Sequence, residues 1–245
     1  MNTGQPRAAR TDTPVDPAVL TADCNVVLDT IAAGGVAIIP TCLTYAIIGH
    51  RGPAVAAIFA AKARSYSKPC GLFGSPAMSR AVHDLPEEKQ EIARILKEEE
   101  GLPFSIVAPF RRSHPLIAAV DPFVVANASK DGTMDMVVSG GPFVERLAEL
   151  SLDRNIVAFG SSANRSLEGS KYRLGDIEPE VRAAAALALD YGVSRYATPL
   201  GLSSTIIDFH DFSVVRIGHE FAALEEAFRR RFKIALRRGS EDAPP

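Results

Sequence analysis

The chain has 245 residues, of which 47% are hydrophobic and 23% are charged, and its formal net charge is −2. This composition is typical of a globular protein and argues against non-specific nucleic-acid binding as the main function, because such proteins usually carry a strong basic excess. The three cysteines are widely spaced and the histidines form no metal-ligand pattern, so we expect neither a disulfide framework nor a metal held by a side-chain cluster. No apolar run approaches the roughly 20 residues that span a bilayer, and we predict a cytoplasmic protein.

In chain order, the sequence predicts three parts. Residues 1–20 lack an apolar core and are predicted to form a disordered leader, residues 21–220 form the main domain, and residues 221–245 form a C-terminal helix and tail. Within the main domain, segments with helical spacing alternate with short apolar runs typical of buried strands, which predicts an α/β fold with a mixed sheet. Helices are expected at 23–33, 53–64, 86–100, 142–150 and 178–191, and strands at 36–40, 104–108, 136–138, 156–160, 205–208 and 213–217.

Four short segments combine hydroxyl, amide or basic side chains with the predicted ends of strands or helices. In open α/β sheets ligands bind beyond the strand ends, and cations near such positions supply the charge that a pyrophosphate or triphosphate requires. Each segment also has a simpler explanation, because basic residues favour helix C-termini and Ser or Asn residues favour turns and helix N-caps. The sequence has no P-loop and no dinucleotide-binding glycine pattern. The four segments are residues 38–41, 62–69, 160–164 and 202–208.

The order of these segments carries a resemblance to a known family. GGVAIIPT, KARSYSKP, SSAN, SSTIID and VRIG follow one another between about residues 23 and 218, and in this order they resemble the motifs of the YrdC family. The resemblance implies a twisted mixed α/β sheet with flanking helices around a concave, positively lined cavity. The best-known members are threonylcarbamoyl-adenylate synthases of tRNA modification, which join threonine, bicarbonate and ATP with release of pyrophosphate. A nucleotidyltransferase of this type is therefore what the resemblance implies.

The resemblance also implies roles for individual residues by motif position. Lys62 and Arg64 correspond to the catalytic cations around the phosphates, and Thr41 and Ser204 correspond to residues near the amino acid. The implied cofactors are ATP and the Mg²⁺ that it carries. The implied partners are threonine or another amino acid, bicarbonate, and a tRNA or tRNA-modification proteins. The nucleotide-binding residues that the resemblance implies are Lys68, Ser105, Ser162, Asn164 and Arg216.

Five positions depart from the family pattern. Ala46 and Gly160 stand in place of a glycine and a serine of the motifs, and Phe73 stands where some members have a polar residue. Val137 and Gly141 stand where an arginine and a histidine are expected. These departures lie on the amino-acid side of the implied site, and losing a charge that pairs with a carboxylate typically costs on the order of a few kcal/mol. We therefore expect nucleotide binding to survive better than the use of threonine, so that another acceptor or a loss of turnover stays open.

Two other functions stay open at this level. One is a non-catalytic nucleotide- or RNA-binding protein, which the basic run at residues 229–238 favours, although a solvated helix face explains the same run. Five tyrosines and no tryptophan offer little material for base stacking. The other is a carbamoyl-transfer enzyme of secondary metabolism, which shares the carbamoyl-adenylate intermediate but normally needs a second domain or a partner. Pyrophosphate release separates both enzymes from the binding protein, and the accepted substrate separates the two enzymes.

Overall fold

A mixed sheet with helices packed against it runs through residues 6–238, which are the residues that the computed structural model describes. The helices are Pro17–Ala32 (α1), Gly52–Ala61 (α2), Pro76–Val82 (α3), Glu87–Glu98 (α4), Pro115–Ala118 (α5), Pro122–Ala128 (α6), Pro142–Arg154 (α7), Pro179–Ala183 (α8) and Phe221–Ala227 (α9). The strands are Ala37–Pro40 (β1), Tyr45–Gly49 (β2), Gly71–Phe73 (β3), Ser105–Pro109 (β4), Ser129–Lys130 (β5), Thr133–Val137 (β6), Ala158–Ser162 (β7), Leu187–Ala188 (β8), Ile206–Asp208 (β9), Ser213–Arg216 (β10) and Arg237–Arg238 (β11).

The strands form one sheet in the order β11-β10-β9-β4-β6-β3-β7-β2-β1-β8, and β5 pairs with β6. Four neighbouring pairs are parallel, namely β1 with β8, β3 with β6, β4 with β9 and β10 with β11, and the other pairs are antiparallel. This arrangement confirms the predicted α/β fold with a mixed sheet. Among residues 6–238, no helix combines the length and the apolar character that crossing a membrane requires.

Local chemistry explains where most of the helices begin. Six of the nine have a proline as their first residue, where the missing N–H costs nothing because the first turn has no intrahelical acceptor for it. Asp16 accepts a hydrogen bond from the backbone N–H of Ala18 at 2.7 Å and caps α1. Ser75 caps α3 in the same way through the N–H of Met78 at 3.2 Å. The polar residues that precede these helices therefore fix their starting points.

The strands near the centre of the sheet place apolar residues on one face and a cavity on the other. Leu72, Met136 and Phe159 are fully buried in the main hydrophobic core. Asp135 and Val137 alternate with Met136 along β6 and line the cavity on the opposite face, because successive strand side chains point to opposite sides. The alternation of β6 therefore sets the floor of the cavity.

The predicted leader differs from the structure over most of its length. Residues 1–5 lie outside the described residues, but α1 already begins at Pro17. Arg10 forms a parallel bridge with Val193, so the segment ahead of α1 packs on the folded domain. The polar composition of 1–20 suggested disorder, whereas backbone pairing with a distant loop supplies the order.

The predicted division at residue 220 also differs from the structure. Helix α9 continues into a π-helical turn at Phe228–Phe232, and Leu236 packs in the main core. Strand β11 then pairs with β10. Residues 221–238 thus belong to the domain, and the remainder of the predicted tail, 239–245, lies outside the described residues.

The helix predicted at 178–191 is wrong over its second half. Helix α8 ends at Ala183, and β8 then pairs with the edge strand β1. The N–H of Ala186 donates to the carbonyl of Val36 at 2.8 Å, and the N–H of Leu189 donates to that of Ile38 at 3.0 Å. The alanine-rich sequence has high helix propensity, but satisfying the backbone groups of β1 outweighs it.

Candidate active site

A cavity of about 730 Å³ opens over β6, β3 and β7 and extends to the ends of β9 and β10. This volume lies in the range of about 300–1,000 Å³ that is usual for small-molecule and cofactor sites. Positive charge predominates in its lining, which matches the expectation of a cavity suited to an anionic ligand. The charged lining residues are Lys62, Arg64, Lys68, Lys130 and Arg216, with Asp131 and Asp135.

The structure brings eight of the nine predicted site residues to this one cavity. The exception is Ser105 on β4, which is fully buried and does not line it. Ser105 lies behind Ser204 and donates a hydrogen bond from its Oγ to the Ser204 Oγ at 2.9 Å. The residues that do line the cavity are Thr41, Lys62, Arg64, Lys68, Ser162, Asn164, Ser204 and Arg216.

Lys62 follows the last turn of α2 and is almost completely buried. Its Nζ donates hydrogen bonds to the backbone carbonyls of Ser162 and Asn164, which ties the helix end to the loop after β7. Burial, and secondarily the charge of Arg64, lowers the pKa of Lys62 from 10.5 to about 7. One of its three N–H groups therefore remains for a ligand, and its charge responds to pH in the neutral range.

Arg64 organises the loop at residues 65–69. Its Nε donates to the carbonyl of Lys68 at 2.9 Å, and its Nη2 donates to that of Pro69 at 2.7 Å. The guanidinium also lies 5.9 Å from the ring centre of Phe59. These contacts neutralise none of its charge, and Lys68 is left exposed at the rim of the cavity.

Arg216 enters the cavity from the opposite side. A bulge between Val214 and Arg216 interrupts the pairing of β10 with β9, and such bulges redirect the side chain that follows. The Nε of Arg216 donates to the Ser204 carbonyl at 3.0 Å, and its Nη2 donates to the Ser204 Oγ at 2.8 Å. Ser204 therefore accepts from both Arg216 and Ser105, and it acts first as the support of the arginine.

The end of β7 and the loop that follows it carry several polar atoms without a hydrogen-bond partner among the described residues. The Oγ atoms of Ser161 and Ser166 and the Oδ1 of Asn164 are buried and make no hydrogen bond to any described residue. All three residues line the cavity. Buried polar atoms in folded proteins are nearly always hydrogen-bonded, so these atoms are the natural contacts for water or a bound ligand. The predicted site residues include Asn164 but not Ser161, the first residue of the SSAN segment, or Ser166, which lies two residues beyond it.

The hydroxyl of Thr41 is used within its own turn. Its Oγ1 donates to the carbonyl of Thr44 at 2.7 Å and accepts from the N–H groups of Leu43 and Thr44 at 3.1 and 3.0 Å. These bonds fix the turn between β1 and β2, which forms one wall of the cavity. The predicted contact of Thr41 with an amino acid stays a prediction, and its role in shaping this wall is what the structure shows.

Two of the departures from the family pattern are built into the packing. Gly141 has a φ of +91°, and a Cβ there would lie 2.8 Å from the Cβ of Cys42. A Cβ on Gly160 would lie 1.9 Å from the carbonyl oxygen of Ile47 on β2. Neither a histidine nor a serine fits at these positions without movement of the backbone, so the turn and the strand pairing are closer here than such residues would permit.

The other three departures form an apolar wall. Ala46, Phe73 and Val137 all line the cavity and are buried among their neighbours. Phe73 and Val137 are paired on the adjacent strands β3 and β6. The part of the cavity where the resemblance implied an arginine therefore offers an uncharged, apolar surface.

Asp135 lies in the floor of the cavity and is not among the site residues predicted from the sequence. It is flanked across the sheet by Gly71 on β3 and by Val107 on β4. Its Oδ1 is buried without a hydrogen bond, and it forms no ion pair with any described residue. Burial raises the pKa of Asp135 from 3.8 to about 6, although the charges of Arg216 and Arg64 oppose this rise. The alternation of polar and apolar residues in TMDMV was the signal that could have placed Asp135 on a cavity-facing strand.

The basic run near the C-terminus is paired internally and lies outside the cavity. Each of its five arginines forms an ion pair with a carboxylate of the same chain, and none lines the cavity. The structure thus favours the simpler explanation of the run as a solvated, ion-paired surface. The pairs are Arg229–Glu226, Arg230–Glu100, Arg231–Glu99, Arg237–Asp211 and Arg238–Glu225.

Comparison with known sequences decides the family. The sequence model named Sua5/YciO/YrdC, described as telomere recombination, matches residues 29–218. The chain belongs to the Sua5/YciO/YrdC family. This confirms the resemblance read from the ordered motifs. No curated protein is significantly similar to the chain.

Solved structures share the fold of this Sua5/YciO/YrdC member. P. abyssi Sua5 complexed with L-threonine is similar with a TM-score of 0.70 and 18% identity, over 95% of this chain and 62% of that one. The hypothetical protein smu.1377c from Streptococcus mutans UA159 is similar with a TM-score of 0.73 and 17% identity, over 97% of this chain and 100% of that one. Full-length HypF in its phosphate- and nucleotide-bound form is similar with a TM-score of 0.56 and 14% identity, over 76% of this chain and 27% of that one. The chain thus spans less than two thirds of the P. abyssi Sua5 chains that it matches.

Proposed function

We propose that this protein forms a carbamoyl-adenylate from ATP, bicarbonate and an amino acid, with threonine as the first candidate, in the pathway of tRNA threonylcarbamoylation. The observation that carries the proposal is the meeting, in one cavity, of basic side chains and buried polar atoms that have no hydrogen-bond partner among the described residues. The basic residues are Lys62, Arg64, Lys68 and Arg216, and the polar atoms belong to Ser161, Asn164 and Ser166.

The charged side of the cavity suits a triphosphate. Within the part of the chain that the structure describes, Arg64 and Arg216 donate only to carbonyl and hydroxyl oxygens, so their charges remain free to interact with an anion. Guanidinium groups bind phosphate oxygens with charge-assisted hydrogen bonds, which are about twice as strong as neutral ones. Among the described residues, no group of three or more His, Cys, Asp or Glu side chains could hold a metal. A Mg²⁺ ion, which would supply further positive charge at the phosphates, would therefore be held mainly by the triphosphate.

The chemistry requires positioning and charge stabilisation rather than a nucleophilic side chain. The amine of the amino acid forms a C–N bond to the carbon of bicarbonate, with loss of water, and gives a carbamate. A carbamate oxygen then bonds to the α-phosphorus of ATP, and the bond from that phosphorus to the bridging oxygen breaks to release pyrophosphate. Arg64 and Arg216 would stabilise the charge that develops on the leaving group, and Lys62 would contribute its remaining N–H.

Two of the structural neighbours support this assignment. One was determined as Sua5 with L-threonine, and another as HypF with phosphate and nucleotide. Part of each protein shares the fold of this chain, so proteins that contain this fold bind an amino acid in one case and a nucleotide in the other. The apolar wall of the present cavity supports an amino acid that differs from threonine as an alternative acceptor.

The test is pyrophosphate release from Mg-ATP and bicarbonate, measured with threonine and with a panel of other amino acids. Lys68→Gln should lower the rate, because Lys68 is an exposed cation of the cavity. Lys233→Gln is its matched control, because Lys233 is equally exposed and does not line the cavity. We expect amino-acid-dependent release that Lys68→Gln reduces and Lys233→Gln does not.

The outcomes separate the candidate functions. Release with threonine supports the synthase, and release only with another amino acid supports a related enzyme with a different acceptor. If no amino acid supports release while ATP still binds, the enzymatic proposal is wrong and a nucleotide-binding protein is left. If both lysine variants lose activity equally, the assignment of the phosphate side is wrong.

A further inference from the structure

The floor of the cavity holds a carboxylate that nothing in the fold explains. Asp135 projects from β6 between Gly71 and Val107, and its Oδ1 is buried without a hydrogen bond to any residue of 6–238. A Cβ on Gly71 would lie 2.7 Å from the Asp135 Oδ2, so the neighbouring strand leaves room for this side chain. An unpaired buried carboxylate is costly, and the cost is usually offset by a partner that binds there.

The surroundings of Asp135 define what that partner is. The charges of Arg216 and Arg64 both act on the carboxylate, and neither arginine forms an ion pair with it. A ligand that satisfies this arrangement presents a positive group to Asp135 and a negative group to one of these arginines. A polyphosphate alone places negative charge beside both kinds of side chain and gains nothing from the carboxylate.

We infer that Asp135 is a binding residue for the ammonium group of an α-amino acid, whose carboxylate shares the donors of Arg216 or Arg64 with the phosphates of ATP. This inference rests on the proposed function and adds a residue and a mode of recognition to it. The Nη1 of each arginine makes no hydrogen bond to a described residue, so both arginines retain donors for a carboxylate. A carboxylate and an ammonium on one carbon match this pairing of opposite charges.

The neighbours of Asp135 along the sheet determine the side chain that such an amino acid carries. Val137 lies two residues further along the same face of β6, and Phe73 is its partner on β3. An amino acid with its ammonium on Asp135 therefore meets an apolar surface on one side. A second charge in its side chain would be desolvated there without a partner, so the structure favours small, uncharged side chains.

The test is a binding measurement by isothermal titration with the full chain, with and without a non-hydrolysable ATP analogue. The probes are L-threonine, L-alanine and L-valine, together with the matching 2-hydroxy acids, in which a hydroxyl replaces the amine. We expect each hydroxy acid to bind the wild type at least tenfold more weakly than its amino acid. Asp135→Asn, which keeps the shape of the side chain, should weaken the binding of the amino acids at least tenfold and leave the affinity for the hydroxy acids unchanged. Asp131→Asn is the matched control, because Asp131 is an exposed acid of the same cavity.

The inference and the proposed function fail in different ways. Equal affinity of amino and hydroxy acids for the wild type overturns the inference, whether or not the variant folds. The inference is also overturned if Asp135→Asn changes only the affinity for ATP, since Asp135 would then act only by repelling polyanions. In either case binding of ATP leaves the nucleotide part of the proposed function intact. Amino-acid binding that depends on Asp135, in a protein that binds no ATP, supports the inference and contradicts the proposed function.

Discussion

The cations of the cavity and the arginines near the C-terminus are the same residue types in opposite surroundings. Near the C-terminus, Arg230 pairs with Glu100 at 2.7 Å and Arg238 pairs with Glu225 at 2.8 Å. In the cavity, Arg64 and Arg216 donate only to carbonyl and hydroxyl oxygens. The comparison teaches that a dense run of basic residues says little about binding, whereas a cation held by neutral oxygens keeps its charge for a ligand.

The carboxylates of the two regions differ in the same way. Glu100 accepts from Arg230 and lies within 3.5 Å of a nitrogen of Arg231. Asp135 lies near two arginines and pairs with neither. Near the C-terminus the charges are paired with one another within the fold. In the cavity they are left unpaired, which lowers the stability of the folded state. Such a cost is usual where a fold is shaped for binding.

The largest expected effect follows from the unpaired carboxylate. Asp135→Asn should stabilise the ligand-free protein by up to about 3 kcal/mol at pH 8, because a rise in pKa from 3.8 to about 6 corresponds to about that penalty on the charged form, less the cost of burying the amide. The folded state of the wild type binds the proton more tightly, so this penalty is present above pH 6 and absent below pH 3.8. The advantage of the variant should therefore shrink as the pH falls from 6 to 4. Urea denaturation at pH 8 and at pH 4 measures both values.

Glu100→Gln provides the contrast to that variant. It also removes one carboxylate, but from a paired site, so it should destabilise the protein by about 1 kcal/mol or less. If both variants shift stability in the same direction at pH 8, the distinction between unpaired and paired charges is wrong.

The next effect concerns the binding of nucleotide. Arg216→Ala should weaken the binding of ATP at least tenfold, because a hydrogen bond to a charged group contributes about 1.5–3 kcal/mol. Arg229→Ala, which removes an exposed and ion-paired arginine, should leave the affinity unchanged. Titration of a fluorescent ATP analogue measures the affinity of both variants. The midpoint of thermal unfolding shows whether losing the hydrogen bond from Arg216 to Ser204 also destabilises the fold. A similar loss in both variants would contradict the assignment of the cavity.

A smaller effect is the proton that accompanies binding. At pH 8, Lys62 is mostly neutral because burial lowers its pKa to about 7, and negative phosphates nearby should raise that pKa. ATP binding should therefore take up as much as about one proton, and Lys62→Met should abolish the uptake. Calorimetry in two buffers with different ionisation enthalpies detects it, with Lys233→Met as the control. Equal heats in both buffers for the wild type would show that Lys62 is already charged in the free protein.

The sequence was sufficient for the features that local chemistry determines. Lys62 and Arg64 were predicted near the end of a helix, and Ser162 and Asn164 beyond a strand, and the fold places them together. Their segments carry proline, hydroxyl and apolar signals that act over a few residues. The mixed sheet followed from the alternation of elements, and the structure confirms it.

The parts that the sequence did not predict depend on distant pairings. Asp135 lay outside a strand predicted to begin at residue 136, because the apolar run was easier to recognise than the alternation ahead of it. Strand β8 forms because the edge of β1 needs a partner, although its alanines favour a helix. The ion pairs of Arg230 and Arg231 join residues about 130 positions apart, which no local pattern reveals.

The smallest expected effect on binding is at the C-terminal arginines themselves. Replacing Arg229, Arg230 and Arg231 together by glutamine should lower the free energy of unfolding by about 1–2 kcal/mol, because exposed ion pairs contribute about 0–1 kcal/mol each. ATP affinity should not change, and neither should retention of tRNA in a filter-binding assay at about 0.15 M salt, where exposed charges are screened. A large loss of tRNA retention would mean that these arginines exchange their carboxylates for phosphates. The protein would then have two binding surfaces. The cations of the cavity are available in the free protein, whereas the C-terminal arginines become available only when RNA displaces their carboxylates.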